Sequence, residues 1–285
     1  MFLALFMLLA GGCAKHSSGR LFISEHGSID GEAVTLWTID NGHGVKAKVM
    51  DYGATLVSLE VEGRRGQVED LVFGDGPWES RIGGRESSGA ITGRHREFDR
   101  RVWAGTPFNS TDGFGVRFRL VSPAGDSGHP GRVDAEVDYV LTDQNNLKVI
   151  MKATSQEATP IGMTHRGVWA ISEDDSIEVN GDELAFDSIP SSNQNASEYI
   201  LYQDGTRLHL AATLRNASED SVMSVWTNQP AFRMETCGLE GSIHGVELQT
   251  MSMVGSLDVR SDGSSDLLVP GDPYRHVVVY RFHLD

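Results

Sequence analysis

Residues 133–153, VDAEVDYVLTDQNNLKVIMKA, decide the fold class of this chain. Apolar side chains occupy every second position from Val133 to Leu141, and charged side chains separate most of them. The turn-prone residues 143–146 follow, and the alternation resumes at Leu147 and continues to Ala153. A period of two residues is that of a β-strand with one buried face. The stretch therefore predicts two antiparallel strands joined in a hairpin.

The same alternation recurs along the chain. It is present in residues 57–62, ahead of the turn at Gly63 to Gly66, and in a last strand from Val277 to Leu284. Apolar residues nowhere recur at the helical period between helix start and stop signals. The sequence predicts an all-β protein, a large antiparallel β-sandwich whose two sheets are both curved.

The composition restricts the possible partners. The chain has 285 residues, of which 39% are hydrophobic and 22% charged, which suits a packed core. It has 24 Lys and Arg against 40 Asp and Glu, so its net charge is −16. A field of that sign repels phosphate backbones, so the charge disfavours nucleic acid and anionic membrane surfaces as partners. With only 2 cysteines, a disulfide framework or a cysteine-based zinc site is also excluded.

The first residues resemble a sorting signal. Residues 2–10, FLALFMLLA, are too few to span a bilayer, and they have the length of a signal-peptide core. Gly11, Gly12 and Cys13 follow and resemble a bacterial lipoprotein cleavage box, with Cys13 as the lipidated residue. Ordinary signal cleavage nearby and a mis-assigned start codon are the alternatives. We expect residues 1–18 to be a signal and tether, and residues 19–285 to form a single exported domain.

Several segments in order across residues 45–285 resemble the aldose 1-epimerase family, the galactose mutarotases. The segments that carry the resemblance are DYGATLVSL at 51–59, EDLVFG at 69–74, GAITGR at 89–94, FDRRVW at 98–103, SPAGDSGHPG at 122–131, TP with TH at 159–165, TNQP at 227–230, ELQ at 247–249 and PG with YRF at 270–282. The resemblance implies a β-sandwich that interconverts the α and β anomers of a free hexose or pentose. It implies no cofactor and no metal.

The chemistry of ring opening calls for a base at the C1 hydroxyl and an acid at the ring oxygen. The resemblance implies that Glu247 is the base, that His165 is the acid and that Gln229 binds a sugar hydroxyl. Each residue also has an ordinary interpretation. Glu247 would then be a solvated strand residue, His165 a packed histidine and Gln229 an amide at a strand end.

The sequence departs from the family pattern in three places. One is the segment around His165, where residues 164–168 read THRGV and lack the family's asparagine and an aromatic. After Arg94 the family continues with a substrate-binding arginine and, later, a second histidine, and that stretch is missing here. Arg94 and His95 lie where the chain resumes and are expected to replace these sugar contacts. The family's sugar-binding aspartate also has no counterpart, and Asn195 and Glu198 are the nearest candidates.

Three functions remain open from the sequence. The first is an exported aldose 1-epimerase, facing the periplasm or the cell surface and held to the membrane only through a lipid on Cys13. The second is a non-catalytic, surface-anchored carbohydrate-binding protein on the same fold. The third, glycoside hydrolysis, needs two carboxylates across a glycosidic bond, and no motif selects such a pair.

Overall fold

The computed structural model describes residues 19–63, 66–73, 91–92, 98–171, 175–183, 196–201, 207–215, 222–237, 245–252 and 267–283. The predicted tether with Cys13 and the predicted sugar contacts Arg94 and His95 lie outside these residues, as does Asn195. No helix among the described residues combines the length and the apolar character needed to cross a bilayer.

Two sheets contain most of the strand residues that the structure describes. One has five strands, paired in chain order: β1 (Arg20–Ile29), β2 (Glu32–Asp40), β3 (Val45–Met50), β4 (Thr55–Glu62) and β5 (Val68–Asp70). The other has eight strands, from edge to edge β14 (Ser176–Val179), β17 (His209–Arg215), β18 (Val222–Thr227), β22 (Tyr274–His283), β10 (Asn146–Ser155), β9 (Val133–Thr142), β8 (Gly113–Ser122) and β7 (Ala104–Asn109).

A second five-stranded sheet and two short ladders complete the described part of the fold. The sheet is formed in spatial order by β13 (Gly167–Ala170), β20 (Gly245–Met251), β19 (Ala231–Cys237), β16 (Ala196–Leu201) and β15 (Gly181–Glu183). The ladders pair β12 (Thr164–His165) with β6 (Ile91–Thr92), and β11 (Thr159–Pro160) with β21 (Leu267–Leu268). Short 3-10 helices cover Phe98–Arg100 and Asp126–Gly128. All these pairings between strands are antiparallel, which confirms the predicted all-β fold class.

The hairpin predicted from residues 133–153 is present as β9 and β10, with Leu141 opposite Leu147. In its turn Asn145 has φ 57, the left-handed conformation that asparagine tolerates better than most residues. The predicted last strand is also present, but it begins three residues earlier, at Tyr274, because pairing with β10 starts directly after the turn around Gly271.

The two five-stranded sheets pack against the eight-stranded sheet. Trp37 of β2 meets Phe118 of β8 with ring centroids 6.2 Å apart, and Trp169 of β13 meets Tyr280 of β22 at 4.6 Å. One cluster of buried apolar side chains includes residues of all three sheets. Burial of this cluster is the main force that holds the layers together.

The turn at Gly53 supports the segment that carries His165. Gly53 has φ 65, and a Cβ there would lie 2.7 Å from the Asp99 carbonyl oxygen, so a larger residue does not fit. The Gly53 carbonyl accepts a hydrogen bond of 2.9 Å from the Ile91 amide, and Ile91 pairs with His165 across β6 and β12. The DYGA segment of the sequence thus supports the strand on which the predicted acid lies.

Candidate active site

Glu247 lies in the middle of β20 on the face turned away from the main core. Its neighbours Val246 and Leu248 belong to the buried apolar cluster, so strand alternation directs Glu247 to the opposite face. On that face it pairs with Val168 of β13 on one side and with Glu235 of β19 on the other. Its side chain is only 8% exposed, and a carboxylate this buried needs a partner.

Arg166 supplies that partner. Its Nε donates to Glu247 Oε1 at 2.9 Å, and its Nη2 donates to Glu247 Oε2 at 2.5 Å. Such a bidentate pair fixes the orientation of the carboxylate as well as its charge. The hydrogen bond to Glu247 raises the pKa of Arg166 above its ordinary value, and the negative charges of Glu235 and Asp99 act in the same direction. Arg166 therefore holds the Glu247 carboxylate in a bidentate ion pair.

The charged residues continue across the same sheet. Arg233 on β19 donates from Nη2 to Glu235 Oε2 at 2.7 Å, and its Nη1 lies 3.9 Å from Oε1 of Glu198 on β16. Glu235 and Glu247 stand directly opposite each other, an arrangement that repels unless each carboxylate has its own cation. Arg166 and Arg233 are those cations. Glu198, one of the candidates to replace the family's aspartate, belongs to this row of charges.

His165 is buried with no exposed surface and packs between two tyrosines. Its Nδ1 lies 2.7 Å from the Tyr280 hydroxyl. The ring meets Tyr139 and Tyr280 edge to face, with centroids 6.0 Å and 5.7 Å away. The structure thus places the predicted acid against Tyr280 and the predicted base against Arg166.

A hydrogen-bond network joins the segments that carry these two residues. His276 Nδ1 lies 2.9 Å from the Met163 carbonyl oxygen, and because a carbonyl only accepts, this nitrogen bears the hydrogen. Its Nε2 therefore accepts from the Thr250 hydroxyl at 2.7 Å. Thr164 in turn donates to the Thr250 carbonyl at 2.8 Å. Burial lowers the pKa of His276 to about 4, so the ring is neutral near pH 7.

Gln229, the predicted hydroxyl binder, lies in the turn between β18 and β19 and is mostly buried. Its Nε2 donates to Asn228 Oδ1 at 3.2 Å, and the same oxygen accepts from the Val277 amide at 2.8 Å. The side-chain nitrogen therefore has a structural role in the turn.

Three residues of this region were not among the sequence predictions: Arg166, Tyr280 and His276. His276 and Tyr280 could have been found from the sequence. They alternate with other residues on the same face of the last strand as the apolar Val278, and a polar side chain on a buried face is unusual. Arg166 carried no such signal. Among the described residues, no group of three or more His, Cys, Asp or Glu side chains is placed to hold a metal ion.

Comparison with known proteins agrees with the fold. A family model described as Aldose 1-epimerase matches residues 35–96 and 93–281. The galactose mutarotase of Homo sapiens is 21% identical over 316 residues, which cover 84% of this chain and 91% of that protein. The aldose 1-epimerase of Escherichia coli (strain K12) is 28% identical over 167 residues, 48% of this chain and 47% of that protein.

The solved structures give the same result for the fold. The galactose 1-epimerase from Lactobacillus acidophilus NCFM superimposes with a TM-score of 0.73 at 17% identity, covering 93% of this chain and 99% of that one. An aldose epimerase homologue from C. elegans gives a TM-score of 0.70 at 17% identity, covering 85% and 96%. The family model extends over most of the chain, and this protein therefore belongs to the aldose 1-epimerase family.

Proposed function

We propose that the protein is an aldose 1-epimerase that interconverts the α and β anomers of a free hexose or pentose. The observation that carries the proposal is the buried Glu247 carboxylate, which lies where the family motif has its base and which Arg166 holds in a bidentate ion pair. A base must be deprotonated before substrate arrives, and a bidentate guanidinium favours that state.

In the proposed reaction Glu247 removes the proton from the C1 hydroxyl of the sugar. The C1–O5 bond breaks as the C1 carbonyl forms, the bonding electron pair passes to O5, and His165 gives a proton to that oxygen. Because His165 is fully buried in the structure, its ring must first become accessible to the sugar. Rotation about C1–C2 then presents the other face of the aldehyde. The same steps in reverse close the ring, so both side chains recover their original protonation states and no cofactor is consumed.

The Arg166–Glu247 pair also shapes the energetics of the base. When Glu247 takes a proton, its ion pair with Arg166 becomes a hydrogen-bonded contact with a neutral acid. After the transfer, the guanidinium remains next to the neutral acid and favours return of the proton. Such a base suits a reaction in which the same carboxylate takes a proton and then gives it back.

The same pair is the observation that favours the second candidate, a non-catalytic carbohydrate-binding protein. Both carboxylate oxygens are engaged by Arg166, so one must become available before Glu247 can accept a proton. If the ion pair never opens, the site binds sugars without exchanging their anomers.

Anomer exchange of galactose, glucose and xylose, followed by NMR at neutral pH, separates the two candidates. We expect the wild type to accelerate exchange of at least one sugar. Replacing Glu247 by Gln or His165 by Asn should lower that rate by about a hundredfold or more, the usual contribution of an acid or a base.

Glu235→Gln is the matched control, because Glu235 lies opposite Glu247 and has its own arginine. It should retain most of the activity. Saturable sugar binding without exchange would favour the binding protein, and equal rates for wild type, Glu247→Gln and His165→Asn would contradict the assigned roles.

We also propose that the protein is exported and anchored through lipidated Cys13. The apolar residues 2–10 and the small residues before Cys13 support this proposal. Radiolabelled palmitate should be incorporated in a bacterial host and lost in Cys13→Ser. Labelling that persists in this variant would contradict the anchor.

A further inference from the structure

Gln249 lies beside the proposed base on the same face of β20. Glu247 and Gln249 are two residues apart, and the residues that alternate with them, Val246 and Leu248, belong to the buried apolar cluster on the opposite face. Two residues of a strand rise by about 7 Å. The ring of one sugar spans such a distance, so a sugar whose C1 hydroxyl contacts Glu247 can place another of its hydroxyls against Gln249.

The side-chain amide of Gln249 makes no hydrogen bond to any residue that the structure describes, and the residue is half-buried. Gln229 differs, because its amide nitrogen already donates to Asn228 Oδ1 at 3.2 Å. An amide has two donor hydrogens and an acceptor oxygen. In Gln249 all of these are left for water or a ligand.

Arg233 stands directly opposite Gln249 on β19 and also has an unused donor. Its Nη2 donates to Glu235 Oε2 at 2.7 Å, but its Nε is buried without a hydrogen-bond partner among the described residues. Residues directly opposite each other on antiparallel strands have Cβ atoms about 5 Å apart. Since a folded protein satisfies most of its buried polar groups itself, two neighbouring side chains with unused groups indicate a polar ligand at this place on the sheet.

The charges around Gln249 favour a neutral ligand. Arg166 and Arg233 each donate to a carboxylate of the row, Glu247 and Glu235, so neither guanidinium is available to hold an anionic ligand. A hydroxyl needs no opposite charge, and it both donates and accepts, as the amide does. A sugar hydroxyl therefore suits Gln249 better than a phosphate or a carboxylate.

We propose that Gln249 is a substrate-binding residue, whose side-chain amide binds a ring hydroxyl of the sugar that contacts Glu247 through C1. For the identity of the ligand this inference rests on the proposed function. The bound hydroxyl is not a reacting group, so the contact has the same strength in the bound sugar and in the transition state. Its loss should therefore raise KM and leave kcat little changed.

The first experiment follows the side-chain amide signals of ¹⁵N-labelled glutamine while the wild-type protein is titrated with galactose, glucose and xylose. The Gln249 signals are assigned by their loss in Gln249→Met. We expect them to shift with sugar concentration, while those of Gln67, exposed in the turn before β5, stay in place. Gln249 signals that do not move when the protein is saturated with sugar would overturn the proposal.

The second experiment measures anomer exchange by Gln249→Met, which keeps the length of the side chain and removes its hydrogen-bonding groups. KM should rise by about tenfold, and kcat should stay within about threefold of the wild type. Gln67→Met is the matched control and should match the wild type in both constants. The urea unfolding midpoint shows that both variants are folded. An unchanged KM in Gln249→Met would refute the contact, whatever happens to kcat.

Deoxy sugars distinguish a direct contact from a structural effect of the substitution. The probes are analogues of the best-bound sugar that lack the hydroxyl at C2, C3, C4 or C6. One of them should bind the wild type about tenfold more weakly than the parent sugar does, yet bind Gln249→Met as well as the parent, because both changes remove the same bond. If every analogue loses the same factor in both proteins, Gln249 contacts none of these hydroxyls and the proposal is wrong.

The two proposals fail in different ways. If the wild type binds sugar without exchanging its anomers, the epimerase is wrong, and the amide signals and the affinity of Gln249→Met still decide the role of Gln249. If exchange occurs and Gln249→Met keeps the wild-type KM, the epimerase stands and the role of Gln249 falls. A wild type that binds none of the sugars contradicts both.

Discussion

Glu247 shows how one neighbouring residue sets the chemistry of another. Its side chain is 8% exposed and that of Arg166 is 26% exposed, so the pair is partly shielded from water. By contrast, the pair of Arg132 and Asp134 is 54% and 47% exposed, where an ion pair contributes little. The two pairs have similar geometry, and burial makes the difference between them.

Replacing Arg166 by Met tests this difference. The buried carboxylate of Glu247 loses its cation, and we expect the free energy of unfolding to fall by about 1–3 kcal/mol, less than for a fully buried pair because Arg166 is partly exposed. Urea denaturation measures this loss.

Arg132→Met is the control for this experiment, since its guanidinium lies at the surface. The unfolding midpoint of this variant should match that of the wild type. Equal destabilisation by the two substitutions would mean that the pair at Glu247 has no special role.

His276 makes the stability depend on pH in a defined window. Its pKa is about 4 in the folded protein against 6.5 for the free side chain, because the ring is buried. Between these values the unfolded chain binds a proton that the folded protein does not, so lowering the pH from 6.5 towards 4 destabilises the fold. The expected loss is about 3 kcal/mol, reached near the lower end of the window.

The measurement is the free energy of unfolding of wild type and His276→Gln at several pH values between 7 and 4. Carboxylates titrate in both proteins, so the difference between the two curves isolates His276. The difference in free energy of unfolding between wild type and His276→Gln should narrow as the pH falls. Parallel curves for the two proteins would contradict the lowered pKa of His276.

At the scale of strands and turns, Asn41 joins two hairpins of different sheets. It is fully buried in the turn between β2 and β3, and its Nδ2 donates to the Thr142 carbonyl at 3.1 Å and to Asn145 Oδ1 at 2.7 Å. Its Oδ1 accepts from the amides of His43 and Val45 at 2.8 Å and 3.1 Å. The side chain therefore holds the turn of β9 and β10 against that of β2 and β3.

Asn41→Ala removes these bonds and leaves their buried partners unsatisfied. We expect the free energy of unfolding to fall by about 2–3 kcal/mol, as judged from chemical denaturation. Ser110→Ala is the comparison, because Ser110 bonds to the Gly113 carbonyl in an exposed turn, and it should cost about 0.5 kcal/mol or less. Similar losses for the two variants would show that Asn41 does not join the sheets.

The strands were predictable from the sequence, and the contacts of the site were not. In β9, β10 and β4 apolar and polar residues alternate because one face of each strand is buried. This pattern lies within a single strand, so the sequence alone is enough to recognise it. The contact of Arg166 with Glu247 joins residues 81 positions apart, and nothing local distinguishes Arg166 from the other basic residues. His276 and Tyr280 lie within an apolar strand, where their pattern indicates core packing and gives no sign of the hydrogen bonds they make.

At the scale of the whole molecule, the cohesion of the eight-stranded sheet depends most on the position of β22. This strand of 10 residues lies between β10 and β18 within the eight-stranded sheet, and it carries both His276 and Tyr280. The strand β1 also has 10 residues but lies at the edge of its sheet, paired with β2 alone. The two strands are equally long, but β22 pairs with a strand on each side and β1 pairs with one strand only.

A chain ending at Pro273 should therefore lose cooperative unfolding, since removal of β22 leaves both β10 and β18 with an open edge and exposes the core beneath them. A chain beginning at Gly31, without β1, should still unfold cooperatively at a lower denaturant concentration. Circular dichroism during urea titration measures both. A cooperative transition in the chain ending at Pro273 would contradict the central role of β22.

The placement of β22 also bears on how the protein is made. While a ribosome is still translating residues 274–283, the eight-stranded sheet has a gap at its centre, so the nascent polypeptide cannot close its largest layer. The complete eight-stranded sheet can therefore form only after synthesis has passed this strand, so its last-made strand closes the layer from within and not from an edge.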